Sequence, residues 1–464
     1  MTDEVALAGV QEAIGMMQRG DYLNATIALE KILIKDPKLA LAWNNRALCL
    51  LQMGHPFDAL LNIEKALEIE PNQAAYYNNK GAMLEQEENY AGALDAYYQA
   101  LEFVPGMPEA WNNVGNTKKF MGDLPGAIEG YRKSIENKPD YADAHLHLAC
   151  ALLADGEYEE GWKEFEWRWR SQLTPRGLSI SQWEGENLNG KTLFIYAEQG
   201  HGDTLNFIRY VTEVKKKYNC YVIVEVRQPL FRLVSTVKGI DKVIHYGDKL
   251  PEADYCTPMM SLPRILGTTV ETIPADVPYF HIASDHVKTW AERLTILPPG
   301  LKVGICWAGM SRPGTPAADR IDQKRSTTLQ NFAPVALVPG VMWVSLQKGP
   351  PAEQVKEPPP GMTIGDWMDD ADDFYDTAAL IENLDLVISV DTAVLHVAAA
   401  LGKPTWLLSR YDGCWRWLGT RKDSPWYPTL TQFYQPKPND WVSVMKEVSA
   451  SLRQYVSDRN KRAA

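Results

Sequence analysis

The sequence predicts an α-helical solenoid followed by a pair of doubly wound α/β domains. Three observations carry that fold class. The first third of the chain has a 34-residue period, the remainder alternates strand and helix patterns, and one strand–helix–strand unit is strongly marked from Leu384 to Leu408. Stacked helix pairs give such a period, and alternation of strands with helices implies a parallel sheet covered on both faces.

In residues 1–172, Pro37, Pro71, Pro105 and Pro139 are each 34 residues apart, as are Ala25, Ala59, Ala93, Ala127 and Gly161. Trp43, Tyr77, Trp111 and His145 keep the same spacing, followed four residues later by Ala47, Gly81, Gly115 and Ala149. Small residues let paired helices approach, large ones fill the space between repeats, and proline ends the second helix. This is the tetratricopeptide pattern. A fifth repeat drifts after Tyr158, where Trp162, Phe165, Trp167 and Trp169 are expected to cap the array and dock it on the next domain. Asn45, Asn79 and Asn113 recur two residues after each large residue, a position expected to face the groove.

Composition narrows the function classes. Residues 1–170 carry 27 acidic and 15 basic side chains, whereas the rest has 32 of each. An acidic array argues against nucleic acid, whose phosphates demand a basic face, and allows a neutral or basic protein partner. Apolar runs fall short of the ~20 residues a membrane span needs. The acidic start, Met-Thr-Asp-Glu, lacks the marks of a secretory signal. The six cysteines lie far apart without a C-x-x-C pair, so reduced thiols and a cytoplasmic protein are expected.

Thr174-Pro175-Arg176-Gly177 opens a linker over 173–190. A first α/β domain is expected over 191–298. Its strand Thr192–Ala197 leads through Glu198-Gln199-Gly200-His201-Gly202-Asp203 into a helix from Thr204 to about Lys217, and Tyr221–Val226 is the next strand. In doubly wound sheets the chemistry sits at the carboxyl ends of strands. Gly200 and Gly202 there allow close approach of a ligand. Asp203 offers a carboxylate, or simply caps the helix.

A second α/β domain is expected over 299–440, with a polar loop from Met310 to Arg325 and strands at Lys302–Trp307 and Met342–Leu346. An amphipathic C-terminal helix, polar at its end, should fill 441–464. In the Leu384–Leu408 unit, an apolar β-branched run ends in Asp391-Thr392, an alanine-rich helix follows, and Gly402 stops it. The helix N-terminus opens at a strand's carboxyl end. Its unpaired N–H groups and dipole suit a phosphate, although Asp391 and Thr392 could equally serve only as caps.

These motifs occur in one order: Glu198–Thr204, Trp307-Ala308-Gly309, Lys324-Arg325-Ser326, Ser345–Gly349, Val390-Asp391-Thr392 with His396 and Ala398–Gly402, and Ser424-Pro425-Trp426-Tyr427. Together with the repeats, they resemble the bacterial tetratricopeptide-fused glycosyltransferases related to heptosyltransferases. The layout is also similar to that of O-linked N-acetylglucosamine transferases and flagellin glycosyltransferases. The resemblance implies a GT-B pair of Rossmann-like domains, acceptor side first and donor side second, with a sugar nucleotide in the cleft.

It further implies an inverting, metal-independent transfer, without cofactor, to a Ser/Thr hydroxyl of an acceptor protein. Asp203 would be the general base, with His201 as the fallback because an imidazole titrates nearer neutrality. Gly202, Arg325, Lys348, Asp391, Thr392 and His396 would hold the donor and its leaving phosphate. Asn45, Asn79 and Asn113 resemble the asparagine ladder that grips an extended acceptor. His201 and Met310-Ser311-Arg312-Pro313-Gly314 depart from the family pattern. A non-catalytic scaffold and transfer to a polysaccharide or lipid are the competing readings. The sequence allows a homo-oligomer without specifying one.

Overall fold

The structure, a computed structural model, describes residues 3–310, 316–419 and 421–463. It separates into two compact units, Met1–Asp155 with Lys163–Pro175, and Gly156–Trp162 with Arg176–Ala464.

The first unit is a run of antiparallel helix pairs. Helices Tyr22–Lys35, Pro56–Ile69, Tyr90–Phe103 and Leu124–Asn137 begin 34 residues apart, as do Ala40–Gln52, Ala74–Gln86, Pro108–Phe120 and Ala142–Asp155. The first large residue of a repeat ties back to the closing proline. Trp43 Nε1 donates to the Pro37 carbonyl and Trp111 Nε1 to the Pro105 carbonyl, each at 2.9 Å. His145 Nε2 reaches Pro139 at the same distance, while its Nδ1 meets Glu164 at 2.5 Å. Gly81 and Gly115 are required by a tyrosine 16 positions on. A Cβ added at either would lie 2.4 Å from the ring of Tyr97 or 2.5 Å from that of Tyr131. Where the small residue is Ala47, the equivalent position holds the slimmer Ile63, buried in the same core cluster.

The expected aromatic cap divides between the units. Trp167 stacks on His145 with ring centroids 3.8 Å apart, and the Arg168 guanidinium lies over the rings of Phe165 and Trp169. Trp162 instead packs with Phe207 and Trp415 in the second unit.

The second unit holds two parallel sheets. The strands are β1 (Ser181–Gln182), β2 (Thr192–Tyr196), β3 (Tyr221–Val226), β4 (Lys242–His245), β5 (Tyr255–Pro258), β6 (Leu301–Cys306), β7 (Val341–Ser345), β8 (Ile364–Asp366), β9 (Leu386–Val390), β10 (Thr405–Ser409) and β11 (Leu430–Tyr434). The first sheet runs β1-β5-β2-β3-β4 and the second β11-β10-β9-β6-β7-β8. In each, the chain moves outward from a central strand, then returns to build on its other side. The order therefore reverses between β2 and β5, and between β6 and β9. Ligands of doubly wound sheets bind in the crevice at such a reversal, beyond the strands' carboxyl ends.

Two expectations change. The stretch 173–190 is not a bare linker: β1 pairs with β5, and Trp183 is fully buried with its N–H on the Cys256 carbonyl. A two-residue strand is too short to leave a periodic signal. The expected polar loop at 310–325 is helical from Pro316 to Arg325, because Ala317, Ala318, Gln323 and Lys324 are good helix formers behind a proline at the first turn. Ser311 to Gly314, most of the atypical motif, lie outside the described residues. The terminal helix Trp441–Ala463 lays its apolar face on the second sheet's core, burying Trp441, Val444, Met445, Val448 and Leu452 beside Phe332 and Val335.

Candidate active site

Three helices frame the crevice: α1 (His201–Phe207), α2 (Phe374–Glu382) and α3 (Ala393–Ala400). α1 leaves the carboxyl end of β2 and α3 that of β9, the strands beside the two reversals. α1 and α3 meet across the lobes. A Cβ on Gly202 would sit 3.0 Å from His396 Cδ2 and 3.9 Å from the Ala393 Cα, so a side chain here would press on the His396 ring. Gly202 was expected to face a ligand; its open side is filled by the His396 ring instead.

Thr392 occupies the cap position of α3 with extended backbone, but its side chain makes no cap hydrogen bond. Its hydroxyl pairs with Ser389 Oγ at 3.1 Å and Cys306 Sγ at 3.7 Å. The first N–H groups of α3 are thus left to something other than their own cap, as an anion site requires. Asp391 is held firmly. Its Oδ2 accepts from Trp417 Nε1 at 2.9 Å, and its carbonyl accepts from Arg325 Nη1 at 2.9 Å. Arg325 also pairs with Asp322. The loop after β6 is fixed by Gln347, whose Oε1 accepts the N–H groups of Trp307 and Ala308 at 3.1 and 2.9 Å.

His396 is buried, stacked on Trp417 with centroids 5.7 Å apart, and its Nδ1 lies 2.9 Å from the Tyr427 hydroxyl. Tyr427 donates in turn to Asn206 Oδ1 at 3.1 Å, so Nδ1 carries the imidazole proton and Nε2 is an acceptor. Burial pushes the imidazole down to about 4, against the opposing pull of Asp391. At neutral pH His396 is therefore uncharged and cannot meet a phosphate as a cation.

Asp203 stands in the third position of α1. One carboxylate oxygen accepts the Gly200 N–H at 2.8 Å, closing the helix start, and the other pairs with Arg416. Both oxygens thus have strong donors, and the capping role is real. His201 meets Phe374 edge to face at 5.5 Å. The Lys348 ammonium donates to the Ala371 carbonyl, and the residue is exposed.

An acidic stretch ties the lobes together. Asp373 caps α2 through the N–H groups of Tyr375 and Asp376 and takes Arg232 in a fork at 2.6 and 2.8 Å. Asp376 receives Arg232 at 2.6 Å and His286 at 2.7 Å. Arg209, buried, donates to the Trp426 carbonyl at 2.5 Å and to the Tyr279 hydroxyl at 2.9 Å.

In the array, the three asparagines are not equivalent. Asn45 is only 6% exposed and donates to Leu41 of its own helix at 2.8 Å. Asn79 and Asn113 donate to Asn44 and Asn78 of the preceding repeat at 2.7 and 3.0 Å, and His147 continues the series to Asn112 at 2.9 Å. These donors brace repeat against repeat. The signal was present in the paired Asn-Asn of each helix, since two adjacent amides can bond one forward and one back.

Arg416, Trp417, Tyr427, Gln347 and Asn206 were not singled out as site residues. Asn206 follows Asp203 by one turn of α1, and Gln347 and Tyr427 fall within the ordered motifs, whereas Arg416 and Trp417 reach the site from the segment after β10 and no local spacing marks them.

Residues 373–409, from the α2 cap through β10, match glycosyltransferase family 9 (heptosyltransferase), and residues 40–73 and 108–141 each match a tetratricopeptide repeat. Protein FlbA of Caulobacter vibrioides is 28% identical over 345 residues, covering 68% of this chain and 56% of that protein. The chain thus spans little more than half the length of that relative. Among solved structures, the type IV pilus biogenesis factor PilW is 26% identical over 38% of this chain and 81% of its own, with a TM-score of 0.35. MamA is 24% identical over 34% of this chain and 92% of its own, with a TM-score of 0.31. Among the described residues, no helix is long and apolar enough to cross a membrane.

Proposed function

We propose that this tetratricopeptide protein with a glycosyltransferase family 9 region transfers a sugar from a sugar nucleotide to the hydroxyl of a protein acceptor. The observation that carries the reading is the uncapped start of α3 at the strand-order reversal of the second sheet, with the Asp203 carboxylate across from it. The first is suited to the charge that develops on a leaving phosphate, the second to an acceptor proton.

In this reading the donor phosphates lie against the first N–H groups of α3, with the Thr392 hydroxyl beside them and Arg325 supporting Asp391. Donors oriented at developing charge act without reorganisation, and losing one typically costs ~3 kcal/mol of barrier. The acceptor oxygen attacks the anomeric carbon while Asp203 takes its proton. The bond to the phosphate oxygen breaks with its electron pair, and the anomeric centre inverts. Neutral His396 offers Nε2 as an acceptor toward a sugar hydroxyl. The repeats recruit the acceptor, and half-buried Asn79 and Asn113 keep carbonyl oxygens for its backbone. A protein acceptor fits this recruitment better than a polysaccharide or lipid does.

The engagement of both Asp203 oxygens favours a second reading, a scaffold that binds a nucleotide without turning it over. Thermal-shift screening of the full chain against nucleotides and sugar nucleotides, followed by donor hydrolysis and acceptor labelling, separates the two. Enzyme activity predicts a stabilising sugar nucleotide and turnover reduced by about 10²–10⁴ in Asp203→Asn, with donor affinity not weakened. Binding with no turnover in the unmodified chain selects the scaffold, and no binding at all refutes both.

A further inference from the structure

The mechanism above uses Asp203 as a base yet leaves it paired to a cation, and the cation is the informative residue. Arg416 is only 9% exposed. Its guanidinium lies 4.4 Å from the Trp415 ring centroid and 5.4 Å from that of Phe207, in the corner between two rings whose centroids are 6.3 Å apart, a setting that suits a planar, weakly hydrated cation. Nη2 pairs with Asp203 and Nη1 donates to Cys414 Sγ at 3.2 Å. Nε is buried without a hydrogen-bond partner among the described residues. Burial opposes the charge, but Asp203 and Asp391 together outweigh it and hold the group protonated.

The neighbouring Trp417 binds Asp391 and stacks on His396. One short segment after β10 therefore touches the carboxylate on the first lobe and the residues that open α3 on the second. A buried cation with an unused N–H, one residue before the tryptophan that holds Asp391 at the uncapped start of α3, marks a place for an anion.

Building on the function proposed above, we infer that Arg416 is a shared cation that masks Asp203 when the donor is absent and turns to the donor phosphates when they bind. A diphosphate carries more charge than one carboxylate and offers the guanidinium fork a matching set of oxygens. Its arrival draws Arg416 off Asp203. The freed oxygen then faces the acceptor hydroxyl, while Gly200 N–H still holds the other. Base strength and leaving-group stabilisation are thereby switched on by one event, and the carboxylate is exposed only in the presence of donor.

Calorimetric titration of the full chain with inorganic pyrophosphate tests this without turnover. Arg416→Gln is expected to weaken binding by about tenfold or more, the usual worth of a charge-assisted hydrogen bond. Asp203→Asn is expected to tighten binding several-fold by releasing Arg416. In the Arg416→Gln background, Asp203→Asn should change affinity by less than about twofold, because no shared cation remains. Equal tightening in both backgrounds means that Asp203 merely repels the anion through its field, and overturns the proposal. So does an Arg416→Gln affinity equal to that of the unmodified chain.

If Arg416→Gln fails to fold because it strands a buried carboxylate, comparing Asp203→Asn with the double variant isolates Arg416 with that charge already removed. The same tenfold weakening is expected there. Should the double variant also fail to fold, Arg416→Lys, which keeps the charge and loses the fork, is expected to weaken binding several-fold, and unchanged affinity overturns the proposal. Failure of the unmodified chain to bind pyrophosphate or any nucleoside diphosphate refutes the donor site itself, a different result from an additive cycle.

Discussion

Acidification should destabilise the second unit through His396, and the size of the effect follows from where the ring sits. The imidazole is buried, with its Nδ1 on Tyr427 and its face on Trp417, and burial lowers its pKa from 6.5 to about 4. A histidine with a depressed folded-state pKa favours the native state above its unfolded value, and that stability is lost as pH falls. In the window between the two values the unfolded chain binds a proton that the native chain refuses. At about 1.36 kcal/mol per unit, the full loss is on the order of 3 kcal/mol, with about 2 kcal/mol already lost at pH 5. Native-state relaxation would reduce it.

The assay is denaturant unfolding at pH 7.5 and pH 5.0 of the full chain and of His396→Gln, which cannot titrate. His147, also lowered to about 4 by burial, and the carboxylates contribute equally to both proteins and cancel in the difference. The variant is expected to be less sensitive to pH by about 2 kcal/mol. Equal sensitivity would mean that His396 is protonated without penalty, so that water reaches the ring and the neutral role assigned to it is wrong.

Gly81→Ala drives a methyl group into the Tyr97 ring and should destabilise the array by about 1–3 kcal/mol, read as a lower midpoint in thermal melts followed by circular dichroism. Adding Tyr97→Ile, which copies the Ala47–Ile63 pair, should recover part of the loss. Arg325→Ala removes the support of the Asp391 carbonyl and should weaken sugar-nucleotide binding about tenfold. Lys348→Ala, whose ammonium is on Ala371, should change it less than about twofold; calorimetry that reverses this order would relocate the phosphate. Asp376→Asn leaves Arg232 and His286 without their shared carboxylate. It should lower the melting midpoint by a few degrees, and an unchanged midpoint would show that these pairs contribute nothing to lobe packing.

Much of the architecture was legible because it is written in local periods. Prolines and small residues 34 apart mark the repeats, and the β-branched run, Thr392, the alanines and Gly402 mark one strand–helix–strand unit without help from the rest of the chain. Elements without a period were missed. The helix Pro316–Arg325 has no apolar stripe, and β1 is two residues long.

The sequence by itself determined that helix pairs stack, that parallel sheets follow, and that a helix start opens beside β9. These depend on backbone preferences and side-chain size within a few turns of chain. What the tertiary structure decided is which charges meet. Asp203 and Arg416 lie 213 residues apart and pair across the lobes. His396 finds Tyr427, and Lys348 the Ala371 carbonyl. Gly202, suggestive of a ligand, proves to be the clearance for a histidine ring. The physical reason is that a pair's strength depends on distance and on the water removed around it. Both are properties of the folded chain and of no segment taken alone.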